Sequence, residues 1–200
     1  MPKAAKEETP LKRTQADRRQ TSRQAVLGSA CKLFGERGYA NTSLEDIASD
    51  CGLTITPVYH YFGNKKALFA AVIAVMEQRI VDSMGEGTAE NKMQGAIGHW
   101  RAFLDLCDDP GFRQIVLVDS PAILGRDRWA DSAVTQTAKA LVTDKSQKSV
   151  GKRYRQELIA RIIMAAFTEA ALMIAEAKDT RAARKEAEKL IMELFSSHDI

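Results

Sequence analysis

An all-α fold is predicted by three features of the sequence. Ala, Leu, Glu, Lys, Arg and Met, the residues that lose least on entering a helix, are plentiful. Runs that alternate apolar and polar residues are missing, whereas apolar residues recur at three- and four-residue spacing over most of the chain. Gly and Pro fall between those periodic segments, where they start or stop helices. Together these boundaries predict about nine helices and no strands. With 200 residues, 45% hydrophobic and 28% charged, the chain can build one large or two small domains and bury a substantial core.

Residues 1–20 hold two prolines, many charges and little to bury, and are expected to form a flexible basic arm. Lys12, Arg13, Arg18, Arg19 and Arg23 would then trail along a polyanion. The first helix is placed from Thr21 or Ser22 to about Arg37, with Leu27, Ala30, Cys31 and Phe34 as its apolar stripe and Gly38 as its stop. A second helix is expected to start at Thr42. Glu45 stands three residues later, so the pair can close a capping box in which each side chain satisfies the other's free backbone donor. Leu44, Ile47, Ala48 and Cys51 give that helix one apolar face, Gly52 ends it, and Leu53 can fold back as a plug.

The third helix follows within a few residues, which is the connection of a DNA-binding helix-turn-helix. Thr54 or Thr56 is its N-cap, with Pro57 in the first turn, where a missing backbone donor costs nothing. Val58 and Phe62 share the inward face. Ile55, Thr56, Tyr59, His60 and Tyr61 are left on or near the outward one, and Lys65 opens the next helix where it can meet a phosphate. The expected core of this three-helix unit is Leu27, Cys31, Phe34, Tyr39, Leu44, Ile47, Val58 and Phe62. Charge agrees with a DNA partner: residues 1–68 hold 11 Lys/Arg against 7 Asp/Glu, and residues 69–200 hold 18 against 19.

From Arg23 to Phe69 the sequence resembles the N-terminal domain of the tetracycline-repressor (TetR) family, through A-x-x-L-F-x-x-x-G-Y-x-x-T-S-x-x-x-I-A-x-x-x-G-L-T followed by V-Y-H-Y-F-G-N-K-K-A-L-F. The resemblance implies phosphate contacts at Thr42, Tyr59 and Lys65, and contacts with bases or flanking phosphates at Thr54, Thr56, His60 and Tyr61. Two positions depart from the family pattern. Ile55 stands where a polar or basic residue is common, and could meet a thymine methyl; Pro57 stands where a small or hydroxylated residue is usual.

A fourth helix, Lys65 to about Met84, has a broad apolar face and links this unit to the rest across a short linker at Gly85–Ala89. The expected division is therefore an arm at 1–20, a helix-turn-helix domain at 21–68, and a ligand-binding and dimerisation domain at 69–200 joined through helix 65–84. In the C-terminal part, Met93, Ile97, Trp100, Phe103, Leu104 and Cys107 form a helix face. Asp108–Gly111 breaks the pattern, Phe112–Asp119 is short and very apolar, Ser120-Pro121 breaks it again, and another helix is expected over 127–144. His99, Trp100, Phe103, Trp129, Met164 and Phe167 are candidates to line a mostly apolar pocket, with His99 as a polar anchor; ordinary core packing is the competing role of each.

Residues 156–177 are apolar on more than one side, and the last helix carries Ala183, Ala187, Leu190, Ile191, Leu194 and Phe195 on one stripe. Two adjacent helices with more apolar surface than one subunit can cover predict a second copy. The family resemblance implies a four-helix dimer interface there, for which Ile162, Ala166, Ala170, Met173, Leu190, Ile191 and Leu194 are the candidates.

No nucleophile elbow, phosphate loop, metal-binding pair or ordered acid-base pair is present, so neither catalysis nor a cofactor or metal is expected. Cys31, Cys51 and Cys107 have no ligand spacing and are expected to be free, in a reducing cytoplasm. The first residues lack an apolar signal region, and the run Leu158–Ala175, interrupted by Arg161 and Glu169, looks too short for a membrane. The functional expectation is a homodimeric transcriptional regulator, most often a repressor in this family, that binds a palindromic double-stranded operator and is released by a small apolar effector. The alternative is an effector-independent structural DNA-binding protein on the same scaffold.

Overall fold

The computed structural model describes residues 14–84, 92–125 and 150–196. Every regular element among them is helical: α1 Gln15–Arg37, α2 Leu44–Asp50, α3 Ile55–Phe62, α4 Lys65–Met84, α5 Lys92–Cys107, α6 Pro110–Arg113, a π-helical stretch Gln114–Asp119, α7 Ser120–Leu124, α8 Val150–Glu176 and α9 Thr180–Ser196. The expected linker at Gly85–Ala89, the helix over 127–144 with Trp129, and Lys12 and Arg13 lie outside the described residues.

The first helix begins earlier than its apolar pattern indicates. Thr14 is its N-cap, and Thr14 and Asp17 form a capping box, so residues 15–20 are helix and not arm. Those turns are exposed on every side, which is why apolar periodicity could not reveal them. Two hydrogen bonds from Thr14 hold the Asp17 carboxyl below its ordinary pKa. Arg18 and Arg19 are exposed along this extension, and the Arg23 guanidinium sits 5.2 Å from the centroid of the Phe62 ring.

One core runs from the helix-turn-helix into the C-terminal helices. In the N-terminal part Phe34, fully buried, stacks on Tyr39 at 5.6 Å and meets Phe69 edge-on at 5.3 Å. Burial of such a ring contributes roughly 1.5–3 kcal/mol. Leu44, Ile47, Val58, Leu68, Val72 and Ile73 close around it. Cys31 and Phe62 are half-buried at its margin, and all three cysteines are free. Burial pushes the Cys107 thiol up to about 12.

α1 lies across α6 with backbone against backbone. A Cβ placed on Gly35 would stand 2.9 Å from the Cα of Gly111, so only glycine fits. The Ser120-Pro121 pair does not end the helical run as expected. A proline ring collides with the carbonyl four residues back in a regular α-helix, and here the turn ahead of Pro121 widens to π geometry, with Ser120 N–H donating to Ile115 O. Ile115, Val116 and Leu117 are all buried in this stretch.

α8 packs on α9 and on α5, and Arg184 of α9 reaches Asp105 of α5 at 2.6 Å. The 20-residue segment Glu157–Glu176 has a mean hydropathy of 1.9 and is long and apolar enough, by length and composition only, to cross a membrane, so length does not exclude a span as the sequence suggested. Only 6% of it is buried within the protomer.

Candidate nucleic-acid interface

The cap of α2 is shifted by one residue from its expected place. Ser43 is the N-cap: Asp46 N–H donates to Ser43 Oγ at 3.0 Å, and Ser43 N–H donates to Asp46 Oδ2 at 2.9 Å. Both registers carry a hydroxyl three residues ahead of an acid, so the sequence alone could not choose. Hydrogen bonds from Ser43 hold the Asp46 carboxyl low. Thr42 is 1% exposed, and its hydroxyl bonds the carbonyls of Leu33 and Gly38 at 3.1 and 2.9 Å. It locks the loop before α2 from inside, so its side chain does not face a phosphate as the resemblance implied.

Gly52, at φ 69°, turns the chain after α2, and Leu53 N–H donates to Ala48 O at 2.8 Å. Ser29 and Lys32 of α1 both bond Asp50, at 2.8 and 2.6 Å, tying down the end of α2 and lowering the Asp50 pKa. α3 then starts from Thr54, whose backbone is extended and whose side chain makes no cap hydrogen bond.

Val58 is fully buried and sets the rotation of α3. Ile55, three residues before it, is half-buried and packs on the core, and so are Tyr61 and Phe62. Ile55 and Tyr61, spaced i−3 and i+3 from Val58, therefore pack part of each side chain on the core and keep the rest at the surface. Thr54, Thr56, Tyr59 and His60 remain exposed, with Tyr59 at 50%.

The start of α4 adjoins this face. Asn64 Oδ1 accepts from Ala67 N–H at 2.8 Å, and the Lys65 ammonium sits 4.2 Å from the centroid of the Tyr39 ring. Residues 40–46, Tyr59, Asn64 and Lys65 line a cleft of about 480 Å³ open to the surface. Ser43 and Asn64 were not singled out from sequence. Their signal is positional, since each sits immediately before a helix.

The C-terminal candidates fall into different settings. Trp100 is 1% exposed and lies 4.5 Å from Phe167 and 6.3 Å from Phe103 between ring centroids. Met164 is half-buried against the same core. Trp100 Nε1 and His99 Nδ1 are buried without a hydrogen-bond partner. Of the dimer candidates, Ile162, Met173 and Leu190 are 58%, 65% and 56% exposed, and Ala166 is exposed. Ile191 is 6% exposed within the protomer, and Ala170 packs against the core. Both serve the protomer's own packing: Ile191 neighbours Leu190 and so points about 100° away from it around α9. Trp129 and the Leu194 side chain lie outside the described residues. No group of three or more metal-ligating side chains gathers among the described residues.

Comparison with known proteins agrees with this geometry. Residues 26–72 match the family described as bacterial regulatory proteins, tetR family, and residues 93–198 match the tetracyclin repressor-like C-terminal domain. The HTH-type transcriptional regulator AcrR of Shigella flexneri is 36% identical over 61 residues, which is 30% of this chain and 28% of that regulator. The HTH-type transcriptional repressor AcnR of Corynebacterium efficiens is 27% identical over 81 residues, 40% of this chain and 43% of the repressor. The chain thus spans less than half the length of these curated relatives. Among solved structures, a TetR-family transcriptional regulator from Pectobacterium atrosepticum superposes with a TM-score of 0.64 at 30% identity, covering 92% of this chain and 97% of that one. A TetR-like regulator from Rhodococcus superposes with a TM-score of 0.63 at 21% identity, a likeness of fold. With both of its parts matched and a full-length relative of the same architecture, this chain belongs to the TetR family of DNA-binding transcriptional regulators, which are not enzymes.

Proposed function

We propose that the chain is a sequence-specific repressor that binds a palindromic operator as a homodimer. The observation that carries this reading is the exposed face of α3, Thr56, Tyr59 and His60, held outward by buried Val58 and flanked by Lys65. Thr54, Thr56 and His60 supply hydrogen-bonding groups for base edges or flanking phosphates, while Tyr59 and Lys65 are suited to phosphates. In a dimer the two α3 helices enter successive major grooves about 34–36 Å apart or a little more.

His60→Ala is expected to weaken specific binding by roughly 1–3 kcal/mol and leave binding to random duplex unchanged, as for a base contact. An equal loss on both duplexes in a titration would remove His60 from the base-reading set. Lys65→Ala is expected to lower affinity for both and to reduce the salt slope by about one unit. An unaltered slope would take Lys65 out of the phosphate set.

The dimer reading rests on α8. Leu158, Ile162, Ala166 and Met173 lie on an exposed apolar stripe, with Leu190 of α9 also exposed. Arg161 and Glu169 are exposed on the same helix, where a second protein chain accommodates charge that lipid does not. This makes a second copy a better cover for the apolar segment than a membrane, and the regulator a soluble, cytoplasmic one.

Release by a small effector is supported by the unpartnered Trp100 Nε1, whose ring packs on Phe167 and Phe103, and by the unpartnered His99 Nδ1 on the same helix; a largely apolar ligand with one acceptor could satisfy the Trp100 donor. The effector-independent alternative draws on the same place, because Trp100 is already packed on Phe167. Calorimetric titration with small aromatic acids separates them, and heat accompanied by loss of operator binding supports release.

A further inference from the structure

A line of contacts runs from the C-terminal helices to the Lys65 ammonium, crossing 80 residues of sequence in one hydrogen bond. Tyr39 N–H donates to Asp119 Oδ2 at 2.7 Å in a partly buried site. Asp119 is the last residue of the π-helical stretch, in which Ile115, Val116 and Leu117 are fixed in the core. Gly38, with φ 77°, delivers Tyr39 to that carboxylate, and a Cβ on Gly38 would meet Gln114 Nε2 at 3.2 Å. The Tyr39 ring is in turn wedged between Phe34 at 5.6 Å and Phe69 at 5.0 Å. Its remaining face carries the Lys65 ammonium at 4.2 Å.

We infer that Asp119 and Tyr39 are positioning residues for DNA binding: the π-helical stretch sets the Tyr39 backbone, and the Tyr39 ring holds the Lys65 ammonium at the edge of the interface cleft. This rests on Lys65 being a phosphate contact. A lysine carries four rotatable bonds, and one parked on an aromatic face arrives at a phosphate with part of that freedom already lost. The hydrogen bond spans the boundary between the helix-turn-helix and the helices behind it. Movement of the π-helical stretch by a ligand or a partner would therefore be felt at Lys65 without any displacement of α3. Both residues are half-buried and lie outside the exposed face of α3, so their effects are expected to pass through Lys65.

The test is a double-mutant cycle on the full-length protein, with affinity for a bound duplex measured over a salt series. Asp119→Ala is expected to weaken binding about three- to tenfold, and Lys65→Ala about tenfold at 0.1 M salt, the worth of one released counterion. Asp119→Ala in a Lys65→Ala background is expected to add almost nothing. Asp119→Asn keeps an oxygen to accept from Tyr39 N–H and is expected to bind like the parent. This separates positioning from the removal of a negative charge, which both Asp119 variants share. Tyr39→Phe keeps the ring and is expected to be silent, whereas Tyr39→Leu is expected to match Asp119→Ala. Additive losses for Asp119→Ala and Lys65→Ala, or equal losses for the Ala and Asn variants, would overturn the inference. If Lys65→Ala itself leaves affinity and salt slope unchanged, the phosphate role of Lys65 fails, and this inference with it.

Discussion

Ile162→Asp is expected to yield a folded monomer that has lost at least about a hundredfold in operator affinity. Ile162 is 58% exposed in the protomer, so an aspartate there leaves the internal core intact, and surface changes of this kind usually stay within about 0.5 kcal/mol. In a dimer the same position falls on the α8 stripe with Leu158, Ala166 and Met173, and two carboxylates would be brought into an apolar contact across the two-fold axis. The loss on DNA follows from linkage. With two readers joined, the second half-site is engaged at high effective concentration, a gain of roughly 10²–10⁴ that a monomer forfeits. Light scattering gives the mass, circular dichroism the helix content, and a titration the affinity. A variant that stays dimeric would move the interface off this stripe.

Gly35→Val is expected to produce the largest loss of stability for a change of so few atoms. The Cβ alone would stand 2.9 Å from Gly111 Cα and 3.4 Å from Gly111 C and O, all backbone atoms that cannot swing aside. Overpacking of a fixed contact costs typically 1–3 kcal/mol or more, and in a chain of this size each kcal/mol lowers Tm by roughly 2–4 °C. Relief requires α1 to lift from α6, which would also strain the Tyr39–Asp119 hydrogen bond nearby. Gly28 lies two turns earlier in the same helix with nothing within 4 Å of its added Cβ. Gly28→Ala is therefore expected to be neutral or to stabilise by about 0.5–1 kcal/mol, because alanine loses less backbone freedom in a helix. Equal melting temperatures for the two variants would show that the α1–α6 crossing is not close-packed.

The local parts of this molecule were legible in the sequence, and the non-local ones were not. α2, the Gly52 turn and α3 follow from short-range chemistry: a cap, a stripe, a positive φ and a proline in the first turn. Even there, Thr42 and Ser43 compete for the cap, since each precedes an acid by three residues, and only the burial of the Thr42 hydroxyl decides. The start of α1 was missed because its first turns bury nothing and are held by Thr14 and Asp17 alone. Ile55 and Tyr61 lie on the flanks of α3, and how far each is covered depends on the neighbouring helices, which periodicity does not show. The Gly35–Gly111 crossing and the Asp119–Tyr39 hydrogen bond join residues 76 or more apart, and periodicity carries no information about such pairs. Ile191 and Leu190 are adjacent on the predicted stripe, yet one faces the protomer's core and the other solvent; only the packing of α9 on α8 and α5 separates them.

Reading of DNA sequence through α3 by a two-fold dimer can be checked by selection from a pool of random duplexes. An inverted repeat with half-site centres about one helical turn apart or a little more is expected to be enriched, and that enrichment is expected to be lost when His60 is replaced by alanine. Recovery of unenriched duplexes, or of a single unrepeated site that His60→Ala selects equally well, would contradict it.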